Sequence, residues 1–172
     1  IVPFDTHDLV NACLLAAGTE LATAICHKRL SKIFVDDYAH HPKEISAAIS
    51  SMRDIFPGRR LTAIFQPHLY TRTRDFADEF AEALSGVDKL ILLDIYPARE
   101  EPIPGVTSEI IFEKVTAPEK VIMKKEELME YLQNEPVDTL ITFGAGNIDR
   151  FIRPRHLSCL LYLFRKRLCA RL

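Results

Sequence analysis

Between residues 33 and 150, short apolar runs alternate with helical patterns, and this beat limits the available folds more than any other feature of the chain. Ile33-Phe34-Val35 is the first run and ends in Asp36-Asp37. After Pro42, the residues Ile45, Ala48, Ile49, Met52, Ile55 and Phe56 recur at spacings of three and four, the signature of one apolar helix face. Proline suits the first turn of that helix, and Pro57-Gly58 stops it. Residues 61–65 read as the next strand. A second amphipathic helix is predicted over 75–85, with Phe76, Phe80, Ala83 and Leu84 inward and Gly86 just past its end. Residues 87–95 contain Leu90-Ile91-Leu92-Leu93, apolar on both faces as a central parallel strand requires. A short helical stretch near 108–114, a strand at 121–123, a helix at 126–134 and a buried strand at 137–143 complete the series. Strands alternating with helices predict βαβ units, hence an α/β domain with a mostly parallel sheet of about five or six strands.

The two ends fit the beat less well. Residues 1–32 form an N-terminal segment of uncertain origin, Ala/Leu-rich over 6–30 and predicted helical. Residues 153–172 form a tail with six Arg/Lys and no acid, and 155–170 read as a basic amphipathic helix that packs Leu160, Leu163 and Phe164 on the body or meets a membrane surface or partner helix. Residues 1–152 then hold a net charge of −8, a poor groove for a polyanion, so nucleic acid is not an expected partner. An apolar fraction of 48% argues against disorder. Cys13, Cys26, Cys159 and Cys169 form no CxxC and read as free thiols in a reducing, cytoplasmic setting. The longest apolar stretch, 157–164, is too short to cross a bilayer, so no membrane partner is expected. The start lacks the basic region of a signal peptide, and the absence of an initiator Met reads as a fragment or processed chain.

In parallel sheets the ligand crevice lies beyond the C-terminal ends of the strands, and the chemistry-bearing residues fall there. Asp36-Asp37-Tyr38-Ala39-His40-His41-Pro42 leaves one strand and enters a helix. It offers a carboxylate for a ribose hydroxyl or an amine, and imidazoles for an anion. Alternatively, it is an N-capping Asp beside solvated histidines. Adjacent His40 and His41 diverge, and no metal site is expected. Gln66-Pro67-His68-Leu69-Tyr70-Thr71-Arg72-Thr73-Arg74 occupies the next strand-to-helix junction, where His68, Arg72 and Arg74 could clamp a carboxylate or phosphate. They could also be surface charges, but cations at a helix start would oppose the macrodipole, which hints at an anionic ligand. Asp94-Ile95-Tyr96-Pro97-Ala98-Arg99-Glu100-Glu101-Pro102 overhangs the same crevice, and its composition favours a solvated surface loop. Gly144-Ala145-Gly146-Asn147-Ile148-Asp149 ends the last strand without the Lys-Ser/Thr of a P-loop. It lets the backbone pass close to a neighbour or ligand.

These four motifs, in this order over 33–152, resemble the C-terminal domain of the Mur ligases. The Asp-Asp-Tyr-Ala-His-His-Pro element is similar to one in the murein tripeptide ligase, while the Gln-Pro-His-Leu-Tyr-Thr-Arg-Thr block is closer to the alanine-adding members. The resemblance implies a Rossmann-like three-layer domain. It implies an ATP-dependent amide ligase of peptidoglycan synthesis that joins L-alanine to UDP-N-acetylmuramate through an acyl phosphate. An N-terminal domain would hold the UDP-sugar, and a central domain would hold the P-loop and most contacts to Mg2+. The domain at 33–152 would close over ATP and help bind the amino acid. By motif position, Asp37 would face the nucleotide at its ribose. Tyr38, His40, His68 and Arg72 would line the amino-acid and acyl-phosphate region, with Arg72 as the carboxylate partner. No catalytic residue is assigned to this chain alone, which is expected to be inactive by itself. Leu69 stands where many family members have Arg. The alternatives are a non-catalytic nucleotide or amino-acid binding module of the same fold, the murein tripeptide ligase, and an interaction domain using the basic tail.

Overall fold

The computed structural model describes residues 32–145, Ile148 and the backbone of 160–165. Its strands are β1 (Lys32–Asp37), β2 (Leu61–Phe65), β3 (Lys89–Leu93), β4 (Glu119–Met123), β5 (Thr139–Phe143) and β6 (Leu160–Arg165). Its α-helices are α1 (Pro42–Ile55), α2 (Tyr70–Asp75), α3 (Ala77–Leu84), α4 (Glu109–Phe112) and α5 (Leu128–Asn134), the last preceded by a 3-10 turn at Lys125–Glu127. One parallel sheet runs in the order β4-β3-β2-β5-β1-β6.

Every residue of β2, β3 and β5 is buried, as expected of central parallel strands covered on both faces. On one face Ile33, Val35, Ala63, Phe65, Leu90, Leu92 and Ile141 meet Ile45, Ile49 and Met52 of α1, Phe80 and Leu84 of α3, and Ile111 of α4. On the other face Phe34, Ile64, Ile91, Leu93 and Leu140 meet Leu128 and Leu132 of α5 and Ile148. The chain therefore moves outward from β1 to β4 over one face. It returns through α5 over the other, as right-handed crossovers demand when the direction of travel reverses. Three layers result, as the family resemblance implies.

The element expectations for 33–143 hold to within a few residues, with one refinement. The helix predicted over 75–85 is α3, and a further short helix, α2, precedes it; the two meet at Phe76, whose φ of −121° and ψ of 23° depart from helical values. The tail expectation is overturned in part. Residues 160–165 form β6, parallel to β1 with Lys32 opposite Leu160 and Asp37 opposite Arg165, where a basic helix was predicted. Leu160-Leu161-Tyr162-Leu163-Phe164 is a continuous apolar, aromatic run, and such a run satisfies helical spacing and a sheet equally until a strand edge lies beside it. The predicted helix at 6–30, the four cysteines and the packing of the tail side chains lie outside the described residues, as do Gly146, Asn147 and Asp149.

Charges at the N-terminal ends of the strands are mutually satisfied. Arg59 pairs with Asp138, and Arg53 pairs with Asp88 at 2.8 Å. Asp88 also accepts the Leu61 N–H at 2.7 Å. The opposite end of the sheet is built differently.

Candidate functional site

Strand register brings the candidate motifs to one rim. Asp37 of β1 and Phe65 of β2 both lie opposite Phe143 of β5, so the three strands end level. Tyr38, Gln66 and Gly144 follow immediately. β5 sends its chain to the α5 face while β1 and β2 send theirs to the α1 face. This is a topological switch point, where open α/β sheets hold their ligands.

The two aspartates of the first motif have different environments. Asp36 is buried and accepts a hydrogen bond from the Thr142 hydroxyl, which ties β1 to β5. Asp37 is half-buried, and its Oδ1 accepts the Ala39 N–H at 3.0 Å, turning the chain sharply at the rim. Tyr38 is the exposed large hydrophobic residue among those described, and its ring meets the His40 ring edge-on with centroids 5.5 Å apart. His40 Nδ1 lies 3.0 Å from the Tyr38 carbonyl oxygen, which accepts from it. Glu44 reaches back from the first turn of α1 and accepts the N–H groups of His40 and His41 at 3.1 and 3.2 Å. Burial works to raise the Glu44 carboxyl, but those N–H groups and the nearby imidazoles outweigh it and hold the group below its ordinary value. His41 packs against the ring of Phe76.

The second motif brings His68 and Arg72 together. The Arg72 guanidinium donates to His68 Nδ1 at 3.5 Å. Among the described residues, Arg72 makes no direct ion pair with a carboxylate, whereas Arg74 pairs with Asp75 at 2.8 Å and turns outward. Burial, then the Arg72 charge, then His40 push His68 below its ordinary range, with Glu100 opposing them. His68 is thus uncharged at neutral pH and close enough to feel both Arg72 and His40. Asp37, Tyr38, His40, His68 and Arg72 all lie at this end of the sheet. The last four form one cluster, with Asp37 beside it at the tip of β1.

One reading of local sequence needs correction and another needs an addition. Arg72 and Arg74 sit in the last turn of α2, where cations suit the dipole, so the electrostatic hint drawn from a helix start disappears. What remains at this junction is an arginine beside an imidazole, with no carboxylate of the described residues paired to it. The loop at 94–102 is largely exposed, as its composition predicts, and it is also attached to the second motif. Tyr96 bridges to His68 in parallel, and the two rings stack with centroids 5.6 Å apart. Leu69 N–H donates to Tyr96 O at 3.0 Å, and Tyr96 N–H donates to Pro67 O at 2.8 Å. Gln66 is a further rim residue that sequence reasoning left unassigned. It is buried, donates from Nε2 to Asp94 O at 3.4 Å and packs against Gly144. Gly144 has φ +145°, and a Cβ there would stand 2.9 Å from the Gln66 carbonyl oxygen. The glycine of the fourth motif therefore serves a close backbone approach between β5 and β2.

Comparison with known proteins accords with this geometry. Residues 24–146 match the family model described as Mur ligase, glutamate ligase domain. The UDP-N-acetylmuramate–L-alanine ligase of Parabacteroides distasonis is 58% identical over 122 residues, 71% of this chain and 26% of that protein. The enzyme of the same name from Cytophaga hutchinsonii is 47% identical over 153 residues, 88% of this chain and 33% of that protein. The chain thus spans a third or less of the length of these curated relatives. The crystal structure of UDP-N-acetylmuramate-alanine ligase from Thermotoga maritima shares the fold, with a TM-score of 0.55 and 24% identity over 73% of this chain and 26% of that one.

Proposed function

The chain belongs to the Mur ligase family, and from that premise we propose that it supplies the ATP-closing, amino-acid-binding part of a cytoplasmic ligase that joins L-alanine to UDP-N-acetylmuramate in peptidoglycan synthesis. The observation that carries the reading is the convergence of Tyr38, His40, His68 and Arg72 beside Asp37 at the switch point of a sheet whose relatives bear that name.

In the proposed reaction ATP phosphorylates the muramate carboxylate, releasing ADP and leaving an acyl phosphate. The alanine nitrogen attacks the carbonyl carbon, phosphate departs, the amide forms and a proton is lost. Arg72 holds the alanine carboxylate, since its planar fork matches two carboxylate oxygens and no carboxylate among the described residues engages it directly. An uncharged His68 beside it does not repel the alanine ammonium, as an imidazolium would. The exposed Tyr38 hydroxyl, and the Nε2–H of His40 in its imidazolium form, would close the same pocket with donors suited to phosphate oxygens. Asp37, half-buried at the strand tip beside an exposed aromatic ring, fits a nucleotide ribose through its acceptor oxygens. Among the described residues no three His, Cys, Asp or Glu side chains converge as a metal cage. The 172 residues contain no GxxxxGK[ST] sequence, so phosphate cradling falls to other parts of the ligase.

The test combines the chain with a polypeptide bearing the UDP-sugar and P-loop domains of a relative, with ATP, magnesium and UDP-N-acetylmuramate present. ADP release that rises on adding L-alanine, and needs both polypeptides, is the expected result. Release indifferent to this chain, or to alanine, would overturn the reading.

A further inference from the structure

The loop at 94–102 makes a third attachment to the second motif, through Glu100. Its Oε2 accepts the Thr71 N–H at 3.0 Å, and its Oε1 accepts the Thr71 hydroxyl at 2.5 Å. The backbone is bent on both sides to permit this. Ala98 has φ +54°, and Glu100 N–H donates to Pro97 O at 3.0 Å, a turn that swings the carboxylate back over the start of α2. Leu69, the residue before α2, has φ +73°, a conformation that bulky side chains rarely adopt without support from their surroundings. That support is visible: Leu69 N–H is held by Tyr96, and Leu69 O accepts from the N–H and hydroxyl of Thr73 at 3.1 and 2.8 Å. Residues 96–100 thus strap the segment 67–71 from Pro67 to Thr71. His68 lies under the strap, and Arg72 is the residue that follows it.

Resting on the ligase reading above, we infer that Glu100 is a positioning residue for the amino-acid pocket: its carboxylate clamps the first turn of α2 to the Tyr96 loop and so sets Arg72 and His68 relative to one another. Nothing in the 94–102 sequence marks Glu100 over its neighbour Glu101. The geometry alone singles it out, because Glu100 is half-buried on Thr71 while Glu101 is exposed. Its charge also acts on the pocket. The groups whose charges bear on His68 are Arg72, His40 and Glu100, with the Tyr96 ring stacked on it. Glu100 alone favours the imidazolium, so losing that carboxylate lowers the pH at which His68 titrates.

The experiment uses Glu100→Ala, Glu100→Gln and Glu100→Asp, with Glu101→Ala as the neighbouring control. In the assembled ligase, Glu100→Ala is expected to raise the KM for L-alanine about tenfold, with kcat and the KM for UDP-N-acetylmuramate within about twofold of wild type. Glu100→Asp, which keeps charge and acceptors, recovers part of the loss, and Glu101→Ala changes nothing. In the chain alone, ring signals assigned by loss in His68→Gln show His68 titrating at lower pH in Glu100→Ala and Glu100→Gln. If Glu100→Ala does not fold, the near-isosteric Glu100→Gln carries both measurements. A KM for alanine that does not move, or one that moves together with every other substrate, overturns the positioning role. The His68 titration needs no activity. A shifted titration without alanine-dependent ADP release in any combination sinks the ligase reading and leaves the clamp standing.

Discussion

Arg72 is a half-buried guanidinium whose recorded neighbour is an uncharged imidazole, and that pairing leaves its fork available to an anion. Arg72→Ala in the assembled ligase is expected to raise the KM for L-alanine on the order of tenfold to hundredfold, the worth of charge-assisted hydrogen bonds. Initial rates at varied alanine check it, and an unchanged KM removes Arg72 from the pocket. Gly144 carries a steric demand at the same rim. Its φ of +145° and the 2.9 Å approach to Gln66 O leave no room for a methyl group. Gly144→Ala is expected to cost about 2–3 kcal/mol, read as a lower urea midpoint. Thr142 is fully buried and donates to buried Asp36. Thr142→Val keeps the shape but strips a donor from a buried carboxylate, an expected loss of about 1–3 kcal/mol by the same measurement.

The helix α1 shows how one element serves both core and rim. Its inner stripe buries Ile45, Ala48, Ile49 and Met52, while its first turn sends Glu44 back to the amides of His40 and His41. Glu44 titrates below its ordinary value of 4.5 in the folded chain. A depressed carboxylate contributes stability above its unfolded pKa and loses it as pH falls through the folded one. Glu44→Gln keeps an acceptor but removes the charge, so it should flatten the loss of stability on acidification below about pH 4.5. The side chain is 49% exposed and screened by solvent, so the cost at neutral pH should stay under about 1 kcal/mol. Urea titrations from pH 3 to pH 7 would show it, and parallel curves for variant and wild type would refute the cap.

At the scale of the whole molecule, β5 is the keystone of the sheet. It comes after β4 in the chain, yet it lies between β1 and β2, pairing with both along its five residues. Without it the ladder that joins the two halves is absent, and with it goes the level at which Asp37, Gln66 and Gly144 meet. Chains truncated before residue 137 are therefore expected to lose cooperative unfolding and dispersed amide signals, whereas removal of 166–172 should leave both intact. A truncated chain that still unfolds cooperatively would show that β1 and β2 do not depend on β5.

The apolar runs and helical stripes between 33 and 143 were readable locally, because burial on one helix face or on both sheet faces imposes a period within a few residues. Asp37, His40, His68 and Arg72 were readable as candidates for a related reason: each sits one short turn past a run, where a parallel sheet places its crevice. Neither the tail nor the strap could be read that way. The run 160–164 carries no period that separates strand from helix, and only an open edge beside β1 makes it a strand. Glu100 meets Thr71 across 29 residues, and Gln66 meets Gly144 through a sheet order that inserts the fifth strand between the first two. Local chain composition thus determined the elements and the rim they end on. The partners across that rim were decided by the tertiary structure, because hydrogen bonds and close contacts act over a few ångströms in space and leave no period along the chain.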